Sequence, residues 1–356
     1  MDYVIIPDGG ATSAYGFVAG VAQAAIKKPG RYDIALLYST VPAVGAGVFT
    51  TNVVRAAPVQ SSEQHLSGGR MRGVVVNSGC ANACTGEQGR RDALEMAAIA
   101  AGVLGCDVTE ILVASTGVIG VHLPMAKVSA GIREAAANLS AANGALAAQA
   151  IMTTDTVPKE LAVSFNLGGK TVTVGGMAKG SGMIHPNMAT LLSFITTDAS
   201  ISAACLQAAL KEAVAKSFNM VTVDGDSSTN DSLIVLANGQ AGNSIITESN
   251  TPEYRLFTEA LGFVCIELAK MIARDGEGAS KLMEVKVLNA PSEEDARLGA
   301  KAIAGSNLVK AALFGEDANW GRILAAIGRS GISFDPAKVE IDFGDVPILR
   351  ANYRID

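Results

Sequence analysis

Hydrophobic residues along this 356-residue chain fall into short β-rich runs punctuated by glycine, with helical spacing between many of them. Residues 33–39 and 73–76 read as strands, each bounded by Gly, Pro or Asn. The second runs into Asn77-Ser-Gly-Cys-Ala-Asn-Ala-Cys-Thr-Gly86, a polar small-residue loop of the kind that lets backbone approach a ligand closely. Leu94, Ala97, Ala98, Ala101 and Leu104 recur at helical spacing over 87–104, with Gly105 as a stop. A strand at 111–114 ends in Ser115-Thr-Gly-Val-Ile-Gly120, and a long alanine-rich helix follows over about 124–152. Alternation at 161–166 and 171–174, joined through Gly168-Gly169, predicts a hairpin.

Beyond it lie a strand at 191–195, a helix at 203–216, a strand at 220–223 and an Asp-rich loop at 224–231. A strand at 232–237 and a helix at 252–273 come next, then a strand at 282–288. Ser292-Glu-Glu-Asp295 resembles a capping box and opens a helix to Ala304. Residues 308–314 read as a strand, a helix follows Arg322, and 339–343 form a last β-rich run. The order is mixed, not a strict βαβα alternation, and predicts an α+β fold with layered mixed sheets packed with helices.

Composition narrows the classes of function. With 28 Lys+Arg against 34 Asp+Glu the net charge is −6 and no basic cluster stands out, which disfavours nucleic acid as a partner. The first residues carry no basic segment leading into an apolar one, which predicts no secretory leader and a cytoplasmic location. The apolar stretches are alanine- and glycine-rich and fall short of the ~20 residues that span a bilayer. Five cysteines, an odd number without a framework, suit reduced buried thiols. Cys80 and Cys84 lack the further ligands of a tetrahedral metal set, so no metal is expected.

Candidate chemistry gathers at Lys179-Gly-Ser-Gly-Met-Ile-His-Pro-Asn-Met-Ala-Thr190, which sets a hydroxyl between two strand-like segments. Thr190 is either an ordinary β-branched strand residue or a nucleophile at the lip of a sheet. If the bond after Ala189 is cut, Thr190 gains an α-amine with a pKa near ~8 that can act as its own base. Acyl transfer needs donors for an oxyanion, and Thr116-Gly117 at a strand end offers a hydroxyl and backbone N–H groups. Lys179 suits a substrate carboxylate and Glu277 a substrate ammonium. The plainer readings are a solvated loop charge for Lys179, a helix-end charge for Glu277 and a turn hydroxyl for Thr116.

Other constellations are weaker. Lys179-Gly-Ser-Gly182 and Gly276-Glu-Gly-Ala-Ser-Lys281 complete no phosphate-loop pattern. The 224–231 loop fails as a calcium loop and reads as an Asx-rich turn capped by its own side chains. His65, His122 and His185 are dispersed and give a Ser-His-Asp triad no positive support.

Together these blocks resemble the ornithine acetyltransferase family, also called glutamate N-acetyltransferases, over nearly the whole chain. The blocks are 77–86, 115–120, Met152-Thr-Thr-Asp-Thr156, 176–190, 275–281 and Gly315-Glu-Asp-Ala-Asn-Trp-Gly-Arg322, in that order. The resemblance implies the self-processing N-terminal-threonine architecture shared with related aminopeptidases. A precursor cleaves itself between Ala189 and Thr190 into an α chain (1–189) and a β chain (190–356), usually assembled as α2β2. Thr190 becomes the nucleophile, Thr116 and Gly117 form the oxyanion hole, and Thr153, Lys179, Thr190 and Glu277 line the amino-acid site. N-acetylornithine acetylates Thr190 and leaves as ornithine, and glutamate then takes the acetyl group in this arginine-biosynthesis step. No bound cofactor is implied, while acetyl-CoA serves some members as donor. Family members usually continue several dozen residues further, to an Asn and a terminal Ser or Thr that contact substrate, so the expectation is that this sequence lacks that end. The alternatives are an aminopeptidase or amidase of the same fold, with water as acceptor, and a non-catalytic amino-acid-binding relative.

Overall fold

The computed structural model describes residues 3–185 and 191–353. Ala189 and Thr190, the expected cleavage site and nucleophile, lie outside the described residues. Two compact units divide the chain, one formed by residues 1–221 and 226–277 and the other by 222–225 and 278–356.

The larger unit is built on one nine-stranded sheet. Its first elements are β1 (Tyr3–Ile5), β2 (Phe17–Ala22), β3 (Ile34–Phe49), α1 (Ala57–Leu66), β4 (Arg70–Cys80), α2 (Gly86–Leu104) and β5 (Ile111–Val118). Then come α3 (Met125–Ala137), α4 (Gly144–Ala150), β6 (Lys159–Leu167), β7 (Lys170–Lys179), β8 (Leu192–Thr197), α5 (Ala203–Ala215), β9 (Ser232–Ala237) and α6 (Pro252–Arg274). The strands run in the order β1-β6-β7-β8-β9-β3-β4-β5, with β2 also paired to β3. The β8–β9 and β4–β5 pairs are parallel. β3 joins the two halves, because its first part pairs with β2 and β4 and its last residues, Val44 to Phe49, pair with β9.

Strand alternation sorts side chains into two cores. Leu37, Val74 and Leu112 point into a cluster that also holds Met177, Phe194 and Ile234 from the other half of the sheet. Their neighbours Leu36, Val75 and Val113 point the opposite way, onto Met96, Ala97 and Ala100 of α2 and Val128 and Ile132 of α3. Small residues on the buried stripe of α2 let helix and sheet approach closely. The α+β reading of the sequence therefore describes the molecule. Within the described residues no helix is long and apolar enough to cross a membrane.

Several sequence expectations need correction. The helix expected over 124–152 is broken, because Asn138 leaves it to accept from Val21 N–H and donate to Val21 O, and Ser140 forms a bridge with Ala19. Residues 282–288 form no strand, and 218–220 form a 3-10 turn where a strand was expected from 220. β4 and β5 run on through Cys80 and Val118, so the expected loop and turn begin as strand. All five cysteines are free, as expected, but Cys84 is exposed.

In the smaller unit, α7 (Glu293–Ala304) is capped by Ser292, whose Oγ accepts from Asp295 N–H. Residues 308–314, read as a strand, belong to helix α8 (Asn307–Phe314), which Ser306 caps and whose buried side chains Val309 and Ala312 are three apart. With α9 (Trp320–Gly328) it packs Ile303, Val309 and Ala326 into a small core. A hairpin of β10 (Ile341–Phe343) and β11 (Val346–Leu349) completes the unit.

Candidate active site

A cavity of about 550 Å3 opens in the larger unit at the ends of β4, β5 and β7. Thr116, Gly117, Thr153, Lys179 and Glu277 all line it, although they are far apart in sequence. No histidine is among its described lining residues. His65 is instead buried with Nδ1 2.7 Å from Ile111 O, tying α1 to β5.

The Lys179 ammonium donates to Thr153 Oγ1 at 2.8 Å and to Thr116 Oγ1 at 3.3 Å. It lies 3.8 Å from Asp155 Oδ2. Burial pushes the Lys179 pKa below the usual lysine value, against the pull of the Asp155 carboxylate. Lys179 is therefore an anchored, nearly buried charge and not a solvated loop lysine.

Asp155 organises this corner. Its Oδ1 accepts from Lys159 Nζ at 2.8 Å and Gly180 N–H at 2.7 Å, and its Oδ2 accepts from Thr153 N–H at 3.0 Å. One carboxylate thus fixes the backbone on both sides of the Lys179–Thr153 bond. Lys159 continues the network to Asp275 Oδ2 at 2.6 Å. Burial pushes the Asp155 carboxyl upward, but the Lys179 and Lys159 charges reverse this, and its pKa lies below the ordinary carboxylate value.

A carboxyl depressed on folding adds stability above its unfolded pKa, near ~4, and that stability is lost as pH falls through the lower folded value. Asp155→Asn is therefore expected to flatten the loss of stability below about pH 4. Urea unfolding of both proteins across that range checks it.

At the ends of β4 and β5 two glycines stand face to face. Gly79 and Gly117 are partners in the parallel register, with φ values of 103° and 133°, and the register shifts just after them. A Cβ on Gly117 would lie 2.3 Å from the Gly79 carbonyl carbon and 2.6 Å from Cys80 N. Only glycine allows this approach, which brings backbone beside the Thr116 hydroxyl. Glu277 enters from beyond α6, its N–H donating to Ser181 O at 2.9 Å and its carboxylate lying against Gly182, where a Cβ would be 2.6 Å from Oε1.

The ArgJ family profile matches residues 18–355. The chain belongs to the ArgJ family. It is 60% identical over 345 residues to the arginine biosynthesis bifunctional protein ArgJ of Symbiobacterium thermophilum, covering 96% of this chain and 86% of that one. The corresponding protein of Dehalococcoides mccartyi is 55% identical over 353 residues, covering 98% and 86%. The crystal structure of the Bacillus halodurans protein of that name aligns with 53% of this chain and 98% of its own, at 42% identity and a TM-score of 0.50.

In this cavity of the ArgJ-family chain, sequence reading overlooked a second wall. The 224–231 loop does cap itself in part, with Asn230 N–H donating to Ser228 Oγ at 3.1 Å. Asn230 also donates to Ala81 O at 2.6 Å and Ser115 O at 2.8 Å, fastening the loop to the strand ends. Asn230 and Asp231 consequently line the cavity, where sequence suggested only a turn. The Lys159–Asp155–Asp275 network was also missed. Its one legible signal was Asp155 and Asp275 falling inside two of the quoted blocks. Among the described residues no group of three or more His, Cys, Asp or Glu is placed to hold a metal ion.

Proposed function

We propose that this chain is a self-processing acyltransferase of arginine biosynthesis that carries an acetyl group from N-acetylornithine to glutamate through an ester on Thr190. The observation that carries the reading is the convergence of Thr116, Thr153 and Lys179 on one hydrogen-bonded point beside Gly117, with Glu277 on the same cavity. Relatives that share most of the chain are named arginine biosynthesis bifunctional proteins, which supports the same pathway.

The geometry suits such a cycle. In each half-reaction a carbonyl becomes a tetrahedral oxyanion, and the Thr116 hydroxyl with the neighbouring backbone supplies donors fixed before the charge develops. Lys179 receives a substrate carboxylate, and its bond to Thr153 restricts where that carboxylate can sit. Glu277 suits a substrate ammonium. Because the acetyl group rests on the enzyme between steps, two amino acids use the same pocket in turn.

The same reading takes Thr116 and Gly117 as the oxyanion hole, cleavage between Ala189 and Thr190, and acetyl-CoA as a further donor. It also takes an α2β2 assembly and a cytoplasmic location. Denaturing electrophoresis of the expressed chain is expected to show two fragments whose sequences meet at Thr190. Thr190→Ala is expected to remain whole and to lose at least about 10⁴-fold in ornithine formation. A whole wild-type chain that still transfers acetyl would refute the mechanism. Ornithine release that is indifferent to glutamate would point to a hydrolase.

A further inference from the structure

The two amino acids of the proposed cycle share an α-carboxylate and an α-nitrogen but differ at the far end. Ornithine carries an ammonium there and glutamate a second carboxylate. One pocket that serves both in turn needs a group that tells these charges apart. With Lys179 assigned to the shared carboxylate, the second carboxylate of glutamate needs another cation.

Lys27, Lys28 and Arg31 supply three, on the segment that joins β2 to β3, and all of them line the cavity. Residues 23–33 hold these three cations against one acid, Asp33, a balance of +2 in a chain whose net charge is −6. Asp33 is buried and turned inward, its Oδ1 accepting from Ala24 N–H at 2.7 Å and its Oδ2 from Ile26 N–H at 2.6 Å. Those bonds fold the segment back on itself. Ser78 N–H donates to Asp33 O at 2.9 Å, Lys127 Nζ to Ala25 O at 2.8 Å, and Arg31 to Met152 O. The segment is thereby tied to β4, to α3 and to the residue before Thr153.

This fastening sets Lys27 beside the oxyanion wall. A Cβ on Gly79 would lie 3.0 Å from Lys27 Cβ and 3.5 Å from Lys27 N. Lys27 thus packs on Gly79, and Gly79 is the register partner of Gly117. Covalent dimensions match this placement. Four bonds of about 1.5 Å carry a lysine Nζ to about 5 Å from its Cβ, and the second carboxyl of glutamate stands about 5 Å from the amine that attacks the acetyl ester. An acceptor whose amine meets the acetyl group at Thr116 and Gly117 therefore has its far carboxylate within reach of Lys27. Lys27 and Lys28 are exposed, so their charges stand at the mouth of the cavity, where an incoming amino acid meets them first.

We propose that Lys27, backed by Lys28 and Arg31, receives the second carboxylate of the acceptor and sets the preference for an acidic amino acid. The assignment rests on the acetyl-transfer reading of this cavity. The same cations repel the far ammonium of ornithine, so the wall that draws glutamate in also favours release of ornithine once its acetyl group has gone. Both effects weaken with salt, because the lysines face solvent.

Steady-state acetyl transfer by the full chain, with N-acetylornithine and glutamate varied in turn, tests the assignment. The half-reactions are separate, so kcat/KM for each amino acid reports its own capture. Lys27→Met is expected to lower kcat/KM for glutamate about 5- to 10-fold through KM, with kcat near wild type, while kcat/KM for N-acetylornithine holds or rises. Lys27→Glu is expected to move the two values in opposite directions, and Lys27→Arg to keep both near wild type. Added salt is expected to raise the KM for glutamate in wild type and much less in Lys27→Met. Thermal unfolding of each variant is expected to match wild type. An equal loss for both amino acids, or a loss in kcat alone, marks a merely structural role and overturns the proposal. So does a glutamate KM unchanged in both Lys27→Met and the Lys27→Met, Lys28→Met double variant. A change confined to the KM for acetyl-CoA assigns the cations to the phosphates of that donor and overturns it as well. A wild-type chain that transfers no acetyl group from N-acetylornithine overturns the acetyl-transfer reading together with it.

Discussion

Lys159→Met is expected to destabilise the protein by about 3–5 kcal/mol, the usual cost of stripping one partner from a buried ion pair. Lys159 has a side chain with 0% exposure and stands between Asp155 and Asp275, themselves 0% and 7% exposed. Methionine matches its length but leaves Asp275 and Asp155 without the cation between them, with only Lys179 3.8 Å from Asp155, and removes a donor to Val157 O as well. The urea midpoint measures the loss. Adding Asp275→Asn is expected to restore part of it, because the carboxylate that depends on Lys159 alone is then gone while Asp155 keeps Lys179. Activity is expected to fall further than stability, since Asp155 also fixes Thr153 and Gly180 on either side of Lys179.

Gly117→Ala is expected to lower acetyl transfer by about 10²-fold or more, the scale of losing one oxyanion donor. The added Cβ meets the backbone of Gly79 and Cys80, not a flexible side chain, so no rotamer change makes room. The φ of 133° adds strain of its own. Parting β4 from β5 displaces Thr116 and the backbone beside it. Gly120→Ala, where φ is also positive but no atom lies within 4 Å of the new Cβ, is expected to cost only about 1 kcal/mol and to leave turnover near wild type. Steady-state kinetics of the two variants separate displacement of the site from backbone strain alone.

The sequence carried much of this, and its failures have physical causes. Gly105 ends α2 in the left-handed conformation because a glycine stop is a local device, readable without the fold. The stretch at 308–314 was misread because its apolar run suits a strand or a short helix equally, and the Ser306 cap decides between them. The break after Ala137 was invisible because the partner of Asn138 is Val21, far away in the chain. In the site, Thr116, Lys179 and Glu277 were legible as chemical types. Asp231 was not, because an acid in a run of Asp, Ser and Asn resembles a turn until burial is known.

The β7–β8 pairing spans position 190, with Val174 opposite Thr197 and Lys179 opposite Leu192. While the chain is whole, these strands are tethered to each other and pair at high effective concentration. If the bond after Ala189 is cut as proposed, the same ladder joins two polypeptides, and its assembly becomes a second-order process. Refolding of the cut protein from denaturant should therefore slow on dilution, while Thr190→Ala refolds at a rate independent of concentration. The precursor would then serve as the folding template, and the mature enzyme would persist through slow unfolding more than through equilibrium with its separated chains.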